Sequence, residues 1–160
     1  MCNVLALDLG TSTGFCIFSC DEGGKNIHVI SSGTKKFHQN GRVSLGRRFV
    51  CFRDWLRSII KKHEICKIFY EQVFAHSGIQ PAHVYGGFLY HMAAICDDFN
   101  IALHGIGVCS IKKRVSGFGH ASKAQIIKKV REYDFNPIDD NEADAIAIML
   151  AVAQHGDKHE

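Results

Sequence analysis

The feature that most limits how this chain can fold is a change of rhythm near residue 43. Before it, extended apolar stretches at 3–9 (NVLALDL), 15–20 and 27–34 are joined by GTSTG at 10–14 and DEGG at 21–24. Short turns between such stretches predict three strands in an antiparallel meander. After it, helical and strand patterns alternate. Residues 43–63 carry Leu45, Phe49, Phe52, Leu56, Ile59 and Ile60 at three- and four-residue spacing, with Arg47, Arg48, Arg53, Arg57 and Lys61 on the other face. Residues 66–71 (CKIFYE) read as a strand. Residues 81–99, opening on Pro81, read as a helix through Val84, Phe88, Met92 and Ile95, and 101–107 as a further strand. The stretch 112–120 reads as a loop with two glycines, and Ser122 begins a basic helix to about Tyr133. After Pro137 an acidic start leads into an apolar helix over 143–153. The order β-β-β-α-β-α-β-α-α predicts an α/β fold, a mixed five-stranded sheet with helices on both faces. No repeat, linker or low-complexity block interrupts it, so one domain is expected over residues 1–160.

Composition narrows the function classes. No apolar run approaches the ~20 residues of a membrane helix, and MCNVLALDLG lacks the basic start of a signal peptide. No membrane association and a cytoplasmic location are therefore expected. Seven cysteines, an odd number without a CxxC pair, suit reduced thiols, and the scattered histidines complete no four-ligand zinc site. The net charge of +3 hides a division. Of 19 Lys and Arg, ten fall within 35–67 and seven within 112–131, while Asp139, Asp140, Glu142 and Asp144 crowd one segment. A basic surface around an acidic knot suits a polyanion held against a metal site, although solvated helix faces give the same pattern.

Four acidic residues stand where elements end or begin. Asp8 closes the first strand and Glu71 the fourth, which this topology sets beside the first. Asp144 lies one turn into the last helix with Asp140 four residues earlier on the same face. Clustered carboxylates repel one another, and a hard cation with oxygen ligands removes that cost. A pair of Mg²⁺ roughly 3.5–4 Å apart could then hydrolyse a phosphodiester. Asp139, Asp140 or Asn141 is also expected to cap the last helix, but capping gives no account of Asp8 or Glu71. Asp8-Leu-Gly-Thr11 resembles in addition the phosphate loop of sugar kinases and actin-like ATPases. Those folds pair two such domains, and this chain has neither a second DxG loop nor a Walker motif.

The run Tyr70-Glu-Gln-Val-Phe74, taken with Asp8-x-Gly10 and with Glu142-Ala-Asp-Ala-Ile-Ala-Ile148, resembles the RuvC family of Holliday junction resolvases, within the RNase H-like nucleases. Residues 111–123 (IKKRVSGFGHASK) are similar to that family's basic glycine loop. The likeness runs in order from about residue 3 to 154. It implies that Asp8, Glu71 and Asp144 are metal-binding catalytic carboxylates. Phe74 would wedge into the junction, and Lys112 and Lys123 would approach the scissile phosphate, with Lys113 and Arg114 beside them on DNA. Lys123 also counts among the catalytic residues. The family's ligand three residues before the last aspartate is here Asn141, so either Asn141 ligates through its amide oxygen or Asp140 supplies the fourth carboxylate. The latter is preferred because Mg²⁺ favours negative oxygens.

The expectation is therefore an endonuclease with two Mg²⁺ per site, for which Mn²⁺ substitutes, acting as a homodimer on four-way DNA junctions by paired nicks. A broader debranching nuclease for flaps, forks or Y-junctions is one alternative. A junction-binding module with impaired hydrolysis is another. For Phe74 the competing reading is core packing, for the lysines solvation, and for Val84, Tyr85, Phe88, Leu89 and Met92 either core or dimer contact.

Overall fold

Val4, Leu5, Ala6 and Leu7 leave no polar face, so their strand must be covered on both sides. It lies at the centre of the sheet. The computed structural model describes residues 3–21, 26–37 and 44–154. In it β1 (Asn3–Asp8), β2 (Ser12–Cys20) and β3 (Ile27–Lys36) form the antiparallel meander. Then come α1 (Leu45–His63), β4 (Ile65–Gln72), α2 (Ile79–Phe99) and β5 (Ala102–Gly107), followed by α3 (Val108–Ser116), α4 (Lys123–Glu132) and α5 (Asp140–Ala153). The strand order is β3-β2-β1-β4-β5, with β4 parallel to β1 and β5 parallel to β4. The turn expected after Asp21, the helix start at Val43, and Cys2, Lys25, Arg42 and Lys158 lie outside the described residues.

Alternation along the strands sorts the core into two halves. Leu5, Leu7, Ile17 and Ile68 pack beneath α1 and α2 with Phe52, Leu56, Phe88 and Met92. Val4, Ala6, Cys16 and Phe18 pack beneath α5, together with Ile111 and Val115 of α3 and Ile126 and Val130 of α4. The two helices of the first half meet closely, because Gly87 leaves room for the Phe49 ring.

One element departs from the expected order. The stretch 112–120, read as a glycine loop, is helical as far as Ser116. Ile111 and Val115, four residues apart, are buried on one side of α3, and Gly117 ends it at φ 81° with its N–H on the Lys113 carbonyl. Lys112, Lys113 and Arg114 therefore sit on a helix. Cysteine chemistry departs too. Cys16, Cys20, Cys51, Cys96 and Cys109 are free as expected, but Cys66 is disulfide-bonded.

Candidate active site

Strand parity decides which way the strand-end carboxylates face. On β1 the even positions Val4 and Ala6 point to the α5 side, so Asp8 continues that set. On β4 Ile68 and Tyr70 face α1 and α2 while Phe69 faces the other way, so Glu71 shares the side of Asp8. Leu7 pairs with Tyr70 across the parallel ladder, which makes Asp8 and Glu71 the next pair along.

The third carboxylate arrives by close approach of a helix. Gly14 lies opposite Asp8 on β2. A Cβ there would run into the Asn141 carbonyl and the Ala145 side chain, so the first turn of α5 rests directly on the strand. Two side chains of β3 hold that turn. Thr34 Oγ1 donates to Asp139 Oδ1 and Ser32 Oγ to Glu142 Oε1, each at 2.6 Å. Asp139 is the N-cap of α5, accepting from the Glu142 N–H, and the buried Glu142 also accepts from the Ile138 N–H at 2.7 Å. Of the crowded acidic residues, Asp139 and Glu142 are thus occupied in fixing the helix, while Asp140 and Asp144 remain on its other side. Thr13, the hydroxyl in the turn after β1, is buried and donates to the Gly10 carbonyl at 2.7 Å, so it serves the turn itself.

Charge in the cluster is only partly balanced. Burial, then Glu71 and Asp144, push Asp8 up to about 8 against the pull of Lys123. Burial likewise raises Glu71, with Asp144 adding to it and Lys112 and Lys123 opposing. Asp144 is raised by burial against Lys123 and Lys112, with a smaller push from Asp140. Lys123, at the start of α4, stands 3.3 Å from Asp140 Oδ2 and 3.4 Å from Asp144 Oδ2. Burial would lower its pKa, but Asp144 and Asp140 raise it above the usual lysine value. The Asp144 side chain is 28% exposed and that of Asp140 61%, so Asp140 marks the solvent edge.

The remaining predicted residues divide. Lys112 acts on both Glu71 and Asp144, so it faces the cluster. Two residues on, and about 200° round the helix, Arg114 donates from Nη1 to the Ala151 carbonyl at 3.4 Å and ties α3 to α5. Lys113 is exposed. Phe74 is 81% exposed just beyond β4, with its ring over Gly107, so it is not a core residue. Tyr85 of α2 holds this strand exit. Its hydroxyl donates to the Glu71 carbonyl at 2.9 Å and accepts from the Val73 N–H at 3.2 Å. Nothing in the local sequence marks Tyr85 for that task, because its partners lie on another element. Gly14 had a signal, the glycine turn, but not the neighbour that requires it.

Among the described residues, no three His, Cys, Asp or Glu side chains are gathered tightly enough to cage an ion unaided. Magnesium does not need such a cage. It keeps several waters and takes one or two carboxylates together with substrate phosphate oxygens. A buried, oxygen-only cluster whose members raise one another's pKa suits a hard dication.

The sequence profile of the family described as "Crossover junction endodeoxyribonuclease RuvC" matches residues 4–153. The chain belongs to the RuvC family. It is 30% identical to the crossover junction endodeoxyribonuclease RuvC of Ehrlichia canis (strain Jake) over 159 residues, covering 94% of this chain and 96% of that one. To the RuvC of Wolbachia sp. subsp. Brugia malayi (strain TRS) it is 24% identical over 153 residues, covering 94% and 93%. In fold it is similar to T. thermophilus RuvC in complex with Holliday junction substrate, with a TM-score of 0.84, 19% identity, and 97% and 94% of the two chains covered. The RNase H-like expectation for the sheet and its helices is borne out by that likeness. Membership makes the chain one of a family of crossover junction endodeoxyribonucleases.

Proposed function

We propose that this chain resolves four-way DNA junctions by paired, Mg²⁺-dependent nicks made at the cluster of Asp8, Glu71, Asp144 and Asp140. Family membership implies a divalent-metal-dependent nuclease, and branched DNA is its substrate class. The observation that carries the residue assignment is the meeting of two strand ends and one helix turn. Three carboxylates share one face there, burial raises all of them, and two lysines oppose them. Bound at these oxygens, a Mg²⁺ pair, or Mn²⁺ in its place, would supply a nucleophilic water and neutralise the leaving oxygen. The chain's own residues do the rest. Asp8 and Glu71 are fixed by the ladder, and Asp144 is fixed by the seat of α5 on Gly14. Lys123 and Lys112 approach from α4 and α3, where a phosphate beside the carboxylates meets their charge. Asp140 is preferred over Asn141 as the fourth ligand because Lys123 spans Asp140 and Asp144 together. Phe74, exposed past Glu71, suits stacking on an unpaired base. Lys113 remains a DNA contact in this reading, whereas Arg114 is a structural tie.

The unit is one domain acting as a homodimer in the cytoplasm. Among the described residues no helix is long and apolar enough to cross a membrane. Phe88 and Met92 of the expected dimer stripe are buried in the core, but α2 exposes Ile79 and Tyr90 elsewhere on its surface. Two copies packed through that surface would place two sites for opposing strands.

The test is cleavage of a synthetic four-way junction, a flap and a plain duplex, each with Mg²⁺, with Mn²⁺ and with chelator. Paired nicks on the junction alone, lost with chelator, are expected. Equal cutting of the flap would favour the broader debranching activity. Tight junction binding without nicking under any divalent ion would leave a binding module.

A further inference from the structure

Past the edge of the carboxylate site the same end of the sheet carries a second concentration of charge. A cavity of about 400 Å³ lies between the end of β3 and the start of α1, lined by Lys35, Lys36, Arg47 and Arg48 over Phe37 and Trp55. Its one carboxylate, Asp54, stands 3.7 Å from Arg53. Among the described residues, Lys35, Arg47 and Arg48 have no carboxylate at ion-pair distance. Arg48 Nε is moreover buried with no hydrogen-bond partner, the one such side-chain atom among them. A guanidinium N–H held out of water without an acceptor is a standing cost, which an arriving oxygen would remove.

The helix end makes the cation cluster more telling. The start of a helix carries partial positive charge and ordinarily attracts acidic side chains, as α5 has in Asp140 and Glu142. The first turn of α1 has no acidic residue and instead sets Arg47 and Arg48 there. Two arginines at this end repel the helix dipole unless an anion lies between them.

Register places the cavity relative to the cluster. Lys35 pairs with Thr13 and Lys36 with Ser12, next to Gly14, which pairs with Asp8. At about 4.8 Å per strand, the β3 end lies roughly 10 Å from Asp8 across the sheet. A polyanion whose charges recur every few ångströms can fill both places at once, whereas a lone phosphate fills one.

We propose that this cavity seats a backbone phosphodiester of a junction arm, away from the bond that is cut. The inference rests on the reading of the carboxylates as a nuclease site. It assigns Lys35, Lys36, Arg47 and Arg48 to holding the arm, with no part in the chemistry.

The test is the double variant Lys35→Gln/Arg47→Gln, two exposed side chains, on a four-way junction. Affinity in Ca²⁺ should fall roughly tenfold, and the slope of log K against log[salt] should shrink by about 2, one per lost phosphate contact. Single-turnover cleavage at saturating protein in Mg²⁺ should stay at the wild-type rate. The charge-keeping pair Lys35→Arg/Arg47→Lys should restore affinity. Methylphosphonate substitution at single arm phosphates should find one position that weakens the wild type but not the double variant. Unchanged affinity and slope, a fall in saturated rate alone, or equal methylphosphonate effects in both proteins would each overturn the proposal. Those results leave wild-type junction cleavage intact and count against the cavity only. A wild type that neither binds nor cuts the junction overturns both readings.

Discussion

The two faces of the sheet are built from different materials. Beneath α1 and α2 lie large rings: Phe37, Phe52 and Phe88 pack edge to face, and Trp55 joins them at ring separations near 6 Å. Beneath α5 the contact is made by Ala143, Ala145, Ala147 and Ala151, and by Gly14 on the strand. Rings fill space and hold their helices away from the sheet. Alanine and glycine bring a helix backbone down onto it. Only the second arrangement lets a carboxylate from the first turn of a helix reach carboxylates at strand ends, so the chemistry collects on the small-residue face.

The sharpest break of that comparison sets one substitution from each face side by side. Asp8→Asn, Glu71→Gln and Asp144→Asn should each lower single-turnover junction cleavage by about a thousandfold or more, the scale of lost electrostatic stabilisation. Junction affinity measured in Ca²⁺ should hold. Phe88→Ala on the other face should cost about 3–5 kcal/mol in denaturant unfolding, yet leave the rate per folded molecule intact. If Phe88→Ala abolished cleavage in folded protein, the faces would not be separable.

Gly14→Ala tests the close approach itself. The added methyl must push α5 off the strand, and a displacement of an ångström is worth about a hundredfold in rate. Cleavage should fall by that order while circular dichroism stays native. An unchanged rate would mean that the seat of α5 does not set the site.

Smaller effects are expected from the margins. Phe74→Ala should slow cutting of a fully paired junction about tenfold, as stacking of ~1–3 kcal/mol is lost, and should spare a junction with unpaired bases at the crossover. Its exposure predicts no change in melting temperature. Equal slowing on both substrates would remove the stacking role. Asp140→Asn should raise the Mg²⁺ needed for half-maximal rate several-fold, and Asn141→Ala should not; the reverse would exchange their assignments.

The smallest effect concerns the metal-free protein. Asp8 takes up a proton more tightly in the fold than its ordinary value of 3.8, with its folded pKa pushed to about 8 by burial and by its acidic neighbours. The stability it contributes is complete below about pH 4 and is lost as pH rises toward 8. In chelator, Asp8→Asn should therefore melt higher than wild type at pH 8, by a few degrees, and close to it at pH 4. A constant difference across that range would contradict the shift.

What could be read from sequence follows the range of each interaction. Parity and ladder order are local rules, so the run to Asp8, the strand ending at Glu71 and the i, i+4 pair Asp140 and Asp144 were legible. Helix α3 was not, because Ile111 and Val115 are its only buried apolar anchors in nine residues and two glycines follow at once. Arg114 looked like its basic neighbours. Only the docking of α3 on α5 gives it the Ala151 carbonyl. The roles of Gly14 and Tyr85 likewise depend on which backbone comes to rest against them.

The Tyr85 hydroxyl touches the strand on both sides of a bend, at the Glu71 carbonyl and the Val73 amide. It acts as a rivet through two plates. Helix α2, the end of β4 and the segment that bears Phe74 are joined at that point, so the ligand glutamate and the exposed ring have little freedom to move apart. A displacement of α2 along its axis is delivered to both together. The part that grips metal and the part that meets the bases therefore shift as one piece, in step with whatever leans on the outer surface of that helix.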